Sequence, residues 1–378
     1  MKPDSGWYRE GKAFFNIDRA FYRPHSQVGR DLAILAAALY RVRHGQLRVL
    51  DAMTGCGVRA LRYQLEAEAD WVWANEGNPE VQATLAKNLA LGMRPRSYRI
   101  TQQDANQIFF SCYQQRDFYD LVDIDSFGSP TPFLQTALWA TKIGGLLYLT
   151  STDTRTTGGH NVEKSLQVYG ACARAHPAVH EQGLRLLIGT ALQQAGTKGM
   201  QVQPIFSLFN GSVHRVMLRL VMDQPWLPEN YGFLGYCHDC GHYQTVSWRK
   251  LGDVRCPACV SSTPAKPMTL SGPLWLGPLH DIDFLGQMIR LAKDWQWSRR
   301  VKLLKIMEAE ANLPPYYFTL GEIGRHGKLD IPRRDRLIQL LRDRGYQAAL
   351  THLDFQAVKT DASIATCIEL AKQESTNP

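Results

Sequence analysis

The chain has 378 residues, 44% hydrophobic and 21% charged, an ordinary globular composition in more residues than one comfortable core accepts, so two or three domains are expected. A net charge of +8 and a pI near 9.0 favour a polyanionic partner. No run approaches the roughly 18 apolar residues of a membrane span, and Met1-Lys-Pro-Asp-Ser-Gly6 lacks the apolar core of a secretory signal, so a cytoplasmic protein with no membrane attachment is expected.

From residue 47 onward, apolar strands alternate with helical runs. Leu47–Leu50 predicts a first strand, followed by a glycine turn and a helix ending near Leu65. Asp70–Ala74 predicts the second strand and Pro79–Leu91 the second helix; Tyr98–Gln102, Leu121–Ile124 and Gly145–Thr150 predict three more strands. Strands spaced by helices in this way imply an α/β fold with a parallel, doubly wound sheet. Val202–Leu208 and His214–Val221, on either side of Asn210-Gly211, predict a closing hairpin. Pro225 and Pro228 mark a break in composition, which divides the chain into residues 1–225, a small module at 226–270 and a last region at 271–378. The stretch Ser271-Gly-Pro-Leu-Trp-Leu-Gly-Pro278 opens that region. Two helical runs there precede a helix over Arg334–Arg342 and a short strand near Gln347–Thr351, an order that suggests a winged-helix-like element.

The ends of the strands carry the chemistry. Asp51-Ala-Met-Thr-Gly55-Cys-Gly57 joins the first strand to the first helix; Gly55 and Gly57 let the backbone approach a ligand that faces the helix N-terminus. Ala60 completes the small-residue spacing of a dinucleotide-binding fingerprint, so the loop by itself does not separate a dinucleotide from S-adenosylmethionine. Three features favour S-adenosylmethionine. Asp51 precedes the glycines, where it suits a cationic methionine end and would repel a pyrophosphate. Glu76 closes the second strand, where it suits two ribose hydroxyls, and Asp104-Ala105 follows the third, where a carboxylate can accept from an adenine amino group. The fourth strand runs into Asp123-Ile-Asp-Ser-Phe-Gly-Ser-Pro130. Asp125 beside Phe127 suits an exocyclic amino group on a flat base, the carboxylate holding the N–H and the ring stacking on the base. Taken alone, the octapeptide reads equally as a capped turn with a core phenylalanine. Motifs at four successive strand ends, where ligands bind in such sheets, point to a site.

Cys237-x2-Cys240 and Cys256-x2-Cys259, separated by fifteen residues, form the pattern of a closed, structural zinc site. Two disulfides are the alternative, disfavoured in a reducing compartment. Cys56, Cys112, Cys172 and Cys367 are scattered and read as ordinary buried thiols. Basic residues crowd Arg290–Lys305 and Arg333–Arg344, beside Trp295, Trp297, Tyr316 and Tyr317. Each cluster alone also reads as a solvated helix face; together they point to nucleic acid. No stretch reads as the surface of an obligate protein partner.

Over nearly its whole length the chain resembles the Trm1 family, the tRNA (guanine-26) N2-dimethyltransferases. The resemblance is carried by Phe21-Tyr-Arg-Pro24 with Gly29-Arg-Asp-Leu32, by Leu50–Tyr63, by Asp123–Pro130 and Thr152-Asp153, and by the four cysteines. Gly272–Asp281, Thr351-His352 and Lys359-Thr-Asp361 extend it to the C-terminus. It implies a class I, Rossmann-like methyltransferase domain followed by a C-terminal α+β domain that carries the zinc module. It further implies transfer of one or two methyl groups from S-adenosylmethionine to N2 of guanine 26 in tRNA. By the same resemblance Arg30, Arg59, Glu76, Asp104 and Ala105 contact the cofactor, Asp125 is catalytic, and Phe21 and Phe127 hold the guanine. Singly, Arg30 and Arg59 also read as surface arginines and Phe21 as core. The chain leaves the family pattern at Ser126, where proline usually follows the aspartate and fixes φ. Two other readings stand beside this one. One is an amino-methyltransferase of DNA adenine or protein glutamine, whose motifs continue with Pro-Pro-Tyr rather than Gly128-Ser129. The other is a catalytically silent tRNA-binding factor.

Overall fold

An amino-terminal hairpin opens the computed structural model, which describes residues 6–222, 225–252, 254–259 and 267–376. In it β1 (Trp7–Glu10) pairs antiparallel with β2 (Ala13–Asn16). The first helix, α1 (Gln27–His44), stops at Gly45, whose left-handed backbone costs glycine little. Strands and helices then alternate: β3 (Arg48–Asp51), α2 (Val58–Leu65), β4 (Trp71–Asn75), α3 (Gln82–Gly92), β5 (Tyr98–Thr101), α4 (Ala105–Gln115), β6 (Tyr119–Asp125), α5 (Thr131–Ala140) and β7 (Thr141–Ser151). Helices α6 (Thr154–Thr157), α7 (Val162–Tyr169) and α8 (Val179–Gly196) lead to an antiparallel hairpin of β8 (Gln201–Phe209) and β9 (His214–Val221).

These strands form one sheet in the order β5-β4-β3-β6-β7-β9-β8. The first five are parallel, while β9 runs antiparallel to both β7 and β8. Strand β6 is buried along almost its whole length, as expected of a strand covered by helices on both faces. The chain leaves β3 towards β4 on one side and reaches β6 on the other. A crevice therefore opens at the C-terminal ends of β3 and β6, the usual ligand position in such a sheet.

A second, antiparallel sheet places β10 (Tyr231–Tyr236) between β11 (Tyr243–Val246) and β12 (Thr269–Trp275). Strand β12 lies against α8 at Gly189, where a Cβ would stand 3.2 Å from the Leu274 Cα. Helices α9 (Ile282–Asp294) and α10 (Ser298–Glu310) return to pack on α1. The chain ends with β13 (Phe318–Thr319), α11 (Leu320–Gly327), α12 (Arg334–Asp343), β14 (Ala348–Leu350), β15 (Ala357–Thr360) and α13 (Ile364–Thr376). From α10 to β15 the elements follow in the order helix, strand, helix, helix, strand, strand, with β15 between β13 and β14.

Two buried clusters cross the boundaries drawn at residues 225 and 270. One joins Leu50, Val122 and Leu187 to Tyr236, Leu274, Ile323 and Leu337; the other joins Leu35 and Leu61 to Leu285, Met288 and Leu304. The three segments thus share a continuous core. The C-terminal aromatics take part in this packing. Trp295 and Trp297 pack on the second cluster, Tyr317 is fully buried, and Tyr316 stacks on Tyr243 at 4.7 Å. Tyr317 is thus a core residue, and the other three are half-buried against the core. Among the described residues, no helix is long and apolar enough to cross a membrane.

Candidate active site

The loop after β3 turns through Gly55 (φ +58°) and Gly57 (φ +88°), backbone conformations that suit glycine. A Cβ at Gly57 would stand 2.9 Å from the side chains of Leu85 and Leu89, so the loop can press on α3 only without one. A Cβ at Gly55 would face open ground, the Phe21 carbonyl oxygen at 3.9 Å being the first atom it met. Asn75, buried at the end of β4, ties the strand ends together: its Nδ2 donates to the carbonyls of Ala52 (3.0 Å) and Gln103 (2.9 Å). Glu76 Oε2 accepts from the Gly55 N–H at 2.8 Å, and its Oε1 from Asn78 N–H at 2.9 Å. Asp104 caps α4 by accepting from Asn106 N–H (2.9 Å) and remains exposed, with Ala105 buried behind it. Loop, Glu76 and Asp104 form a rim over the ends of β3, β4 and β5.

Arg59, in the first turn of α2, gathers the acids beneath that rim. Its Nη2 donates to Asp51 Oδ1 (3.1 Å) and to the Met53 carbonyl (2.6 Å), and its Nε lies 3.3 Å from Asp123 Oδ2. Nη1 donates to Asp125 Oδ2. Burial opposes charge on Arg59, but Asp123 and Asp51 outweigh it and raise its pKa further. Asp51 is fully buried, with its second oxygen accepting from Thr54 Oγ1 at 2.5 Å. It braces the loop and Arg59 from below. Burial pushes Asp51 up to about 6; Arg59 pulls the other way and Asp123 adds to the rise.

Asp125 ends β6 and is the partly exposed member of this group. Its Oδ1 lies 3.3 Å from Nη2 of Arg215, a buried residue of β9 that the sequence reading did not single out. The turn that follows is held from β7. Gly128 (φ +72°) donates its N–H to Thr152 Oγ1 at 2.8 Å, while its carbonyl accepts from Thr152 N–H (2.9 Å) and Ser151 Oγ (3.1 Å). These bonds restrain the turn that begins at Ser126, where the chain lacks the proline ring.

Two aromatic rings stand at the mouth. Phe21 is 61% and Phe127 74% exposed, and the rings meet edge to face at 5.1 Å with an interplanar angle of 71°. Arg30 explains why Phe21 points outward. Its Nε and Nη2 donate to Glu10 at 2.7 and 2.5 Å, Nη2 also to the Arg23 carbonyl at 3.2 Å, and Tyr22 OH donates to Glu10 at 2.8 Å. Tyr22 is thereby pinned inward, which leaves its neighbour on the surface. Arg30 is thus engaged with the β1–β2 hairpin and with the Phe21 segment.

Known proteins resemble this chain over nearly its whole length. The model of the N2,N2-dimethylguanosine tRNA methyltransferase family matches residues 8–372. The tRNA (guanine(26)-N(2))-dimethyltransferase of Thermococcus kodakarensis is 31% identical over 370 residues, covering 93% of this chain and 93% of that protein. The enzyme of the same name from Aeropyrum pernix is 30% identical, covering 92% of this chain and 88% of that one. The chain belongs to this family. A solved structure of Trm1 from Pyrococcus horikoshii with S-adenosyl-L-methionine superposes with a TM-score of 0.84 at 25% identity, over 96% of this chain and 99% of that one. The sheet and its crevice are accordingly those of a Rossmann-like methyltransferase, and the chain is a tRNA guanine N2-methyltransferase.

In this methyltransferase Cys237, Cys240, Cys256 and Cys259 come together from the β10–β11 turn and the segment before β12, with all four Sγ atoms within 4.8 Å of one another. No disulfide joins them. The Cys237–Cys259 and Cys240–Cys256 separations are 4.0 and 3.5 Å, and a tetrahedron with Zn–S bonds of about 2.3 Å has edges of about 3.8 Å, so the set fits zinc. His280, Glu310 and His352 also lie close enough to share an ion. Their bonding is that of an ion-pair node. His280 Nδ1 accepts from Ser207 N–H (3.3 Å), which places its proton on Nε2, and Lys359 already stands 3.9 Å from Glu310.

Proposed function

We propose that the crevice at the ends of β3, β4, β5 and β6 is where this tRNA guanine N2-methyltransferase brings donor and base together. Gly55, Gly57, Glu76, Asp104 and Ala105 would hold S-adenosylmethionine along the rim, with Asp51, Arg59 and Arg30 supporting the loop and the Phe21 segment. When bound, the cofactor supplies a methyl group activated on a sulfonium sulfur. The amino nitrogen of guanine is a poor nucleophile because its lone pair is delocalised into the ring. Asp125 would accept an N–H from it and stabilise the positive charge that develops on nitrogen as the N–C bond forms and the bond from the methyl to the sulfonium sulfur breaks, the surplus proton then leaving nitrogen through the carboxylate to water. Positioning and this electrostatic effect carry most of the rate.

Phe21 and Phe127 would hold the extruded guanine. Two stacking distances require about 7 Å between flanking ring planes. The rings now meet at 5.1 Å, so one must turn aside as the base enters. The zinc module and the exposed arginines of the winged helix (Arg333, Arg336, Arg342 and Arg344) would grip the tRNA body through phosphates, which makes affinity salt-sensitive.

The observation that carries this reading is a half-open carboxylate, Asp125, at a strand end next to two exposed aromatic rings. Nucleoside mass spectrometry after incubation of unmodified tRNA with the protein and labelled cofactor tests it. The expected product is guanosine labelled at N2 at position 26, as the mono- or dimethyl form. Label in adenine, or none in any tRNA, would contradict it.

A further inference from the structure

The register of the sheet sets a third residue in line with Asp125. Asp125 of β6 pairs with Thr150 of β7, and Thr150 pairs with Arg215 of β9, so the three side chains emerge from one row across neighbouring strands. Arg215 is 3% exposed in a strand whose remaining residues are mostly apolar. A buried guanidinium is costly unless its partners are well placed. Its Nη1 donates to Thr150 Oγ1 at 2.8 Å and its Nη2 reaches Asp125 Oδ1 at 3.3 Å. The stem runs through a slot against Gly29 of α1, where a Cβ would stand 2.5 Å from the arginine Cδ. Tyr148 walls the slot and donates its hydroxyl to the Gly29 carbonyl at 2.8 Å.

The two arginines on Asp125 are not equivalent. Arg59 keeps Asp51 and Asp123 if it releases Asp125 Oδ2. Among the described residues, Asp125 is the one acid paired with Arg215, so release of Oδ1 would strand a buried cation. We propose that Arg215 is a positioning residue that holds Asp125 ionised and fixed through Oδ1, so that Oδ2 is the oxygen passed from Arg59 to the guanine amino group. This rests on the reading of Asp125 as the amino-group acceptor. The groups facing Asp125 are then Arg59 from α2, Arg215 from β9 and, behind Arg59, the buried acids Asp51 and Asp123.

A kinetic double-mutant cycle on the full chain with tRNA and S-adenosylmethionine tests it. Arg215→Met is expected to lower kcat by about a hundredfold with both KM values within about threefold, and Arg215→Lys to recover part of the loss. Gly29→Ala retains every charged group and a helix-compatible backbone but crowds the Arg215 stem, so it is expected to lower kcat in the same sense. In an Asp125→Asn background, Arg215→Met is expected to cost no more than about threefold, because its effect passes through the carboxylate. A multiplicative loss in that background, or a full kcat for Arg215→Met, overturns the role of Arg215 and leaves that of Asp125 standing. Near-normal activity of Asp125→Asn alone overturns both. If Arg215→Met does not fold, the Lys and Gly29→Ala variants decide the matter by the same cycle.

Discussion

Phe127 and Phe21 place two large apolar rings in water beside a carboxylate, an arrangement with a stability cost that a bound base would offset. Stacking on an aromatic ring contributes about 1–3 kcal/mol per base. Phe127→Ala and Phe21→Ala should therefore each lower kcat/KM for tRNA by about tenfold to a hundredfold, while the dissociation constant for S-adenosylmethionine, measured by calorimetry, stays within about threefold. Loss of cofactor affinity instead of tRNA turnover would assign the rings to another task. Glu76 makes the opposite split: Glu76→Ala should weaken cofactor binding by at least about tenfold, because it both frees the Gly55 N–H and removes the rim carboxylate. At this scale the sequence was legible where a residue ends a strand. Asp125, Glu76 and Asp104 announce themselves by standing at the close of an apolar run. Arg215 does not, because its role depends on two strand registers that no local pattern contains. Glu10 was missed for a related reason: its partners Arg30 and Arg62 lie 20 and 52 residues away.

Elements that read clearly in the sequence are those with strong local periodicity. The strands β3 to β9 fall within a few residues of their expected places, β9 with the same bounds, His214–Val221. The β1–β2 hairpin was not foreseen, since each of its strands is only four residues long and one face of β2 exposes Phe14. Yet that hairpin supplies Glu10, which with Asp31 and Glu66 surrounds the fully buried Arg62 and fixes α1, α2 and the Phe21 segment together. In the second sheet the four cysteines set a different prediction. Elemental analysis of the purified protein should find one zinc per chain. Cys256→Ser, or stripping with a strong chelator, should lower the melting temperature and the tRNA affinity while cofactor affinity is retained, because the cysteines belong to the second sheet, the rim residues to the first, and metal binding contributes to folding. A fully stable, metal-free protein would contradict the zinc assignment.

At the scale of the whole molecule, residues of α8, α10 and the C-terminal strands meet in one buried node that docks the last region of the chain on α8. Lys359 Nζ lies 2.6 Å from Glu181, which also pairs with Arg185 at 2.7 Å; Glu310 accepts from His352 and lies 3.9 Å from Lys359. This is where His280, His352 and Lys359, noticed in the sequence only as family motifs, find their use. Burial alone would raise the Glu310 carboxyl, but His352 and Lys359 outweigh it and hold its pKa at about 2. A carboxyl depressed on folding stabilises the native state above its ordinary range, and that contribution is lost as pH falls from about 4.5 to about 2, on the order of 3 kcal/mol. Glu310→Gln should therefore be less stable than the parent at pH 7 by about 3–5 kcal/mol in denaturant titrations, and the difference should shrink as the pH is lowered through that window. A pH-independent difference would show that the node does not act through its ionised carboxylate.

The most direct measurement is the single-turnover rate of methyl transfer to tRNA by Asp125→Asn, with saturating S-adenosylmethionine and the product read by nucleoside mass spectrometry. If Asp125 accepts the guanine amino group, transfer to N2 slows by at least about a hundredfold while cofactor and tRNA affinities stay within about threefold. A rate within tenfold of the parent, with both ligands bound normally, would contradict the assignment of Asp125 and with it the reading of the crevice as the place of methyl transfer.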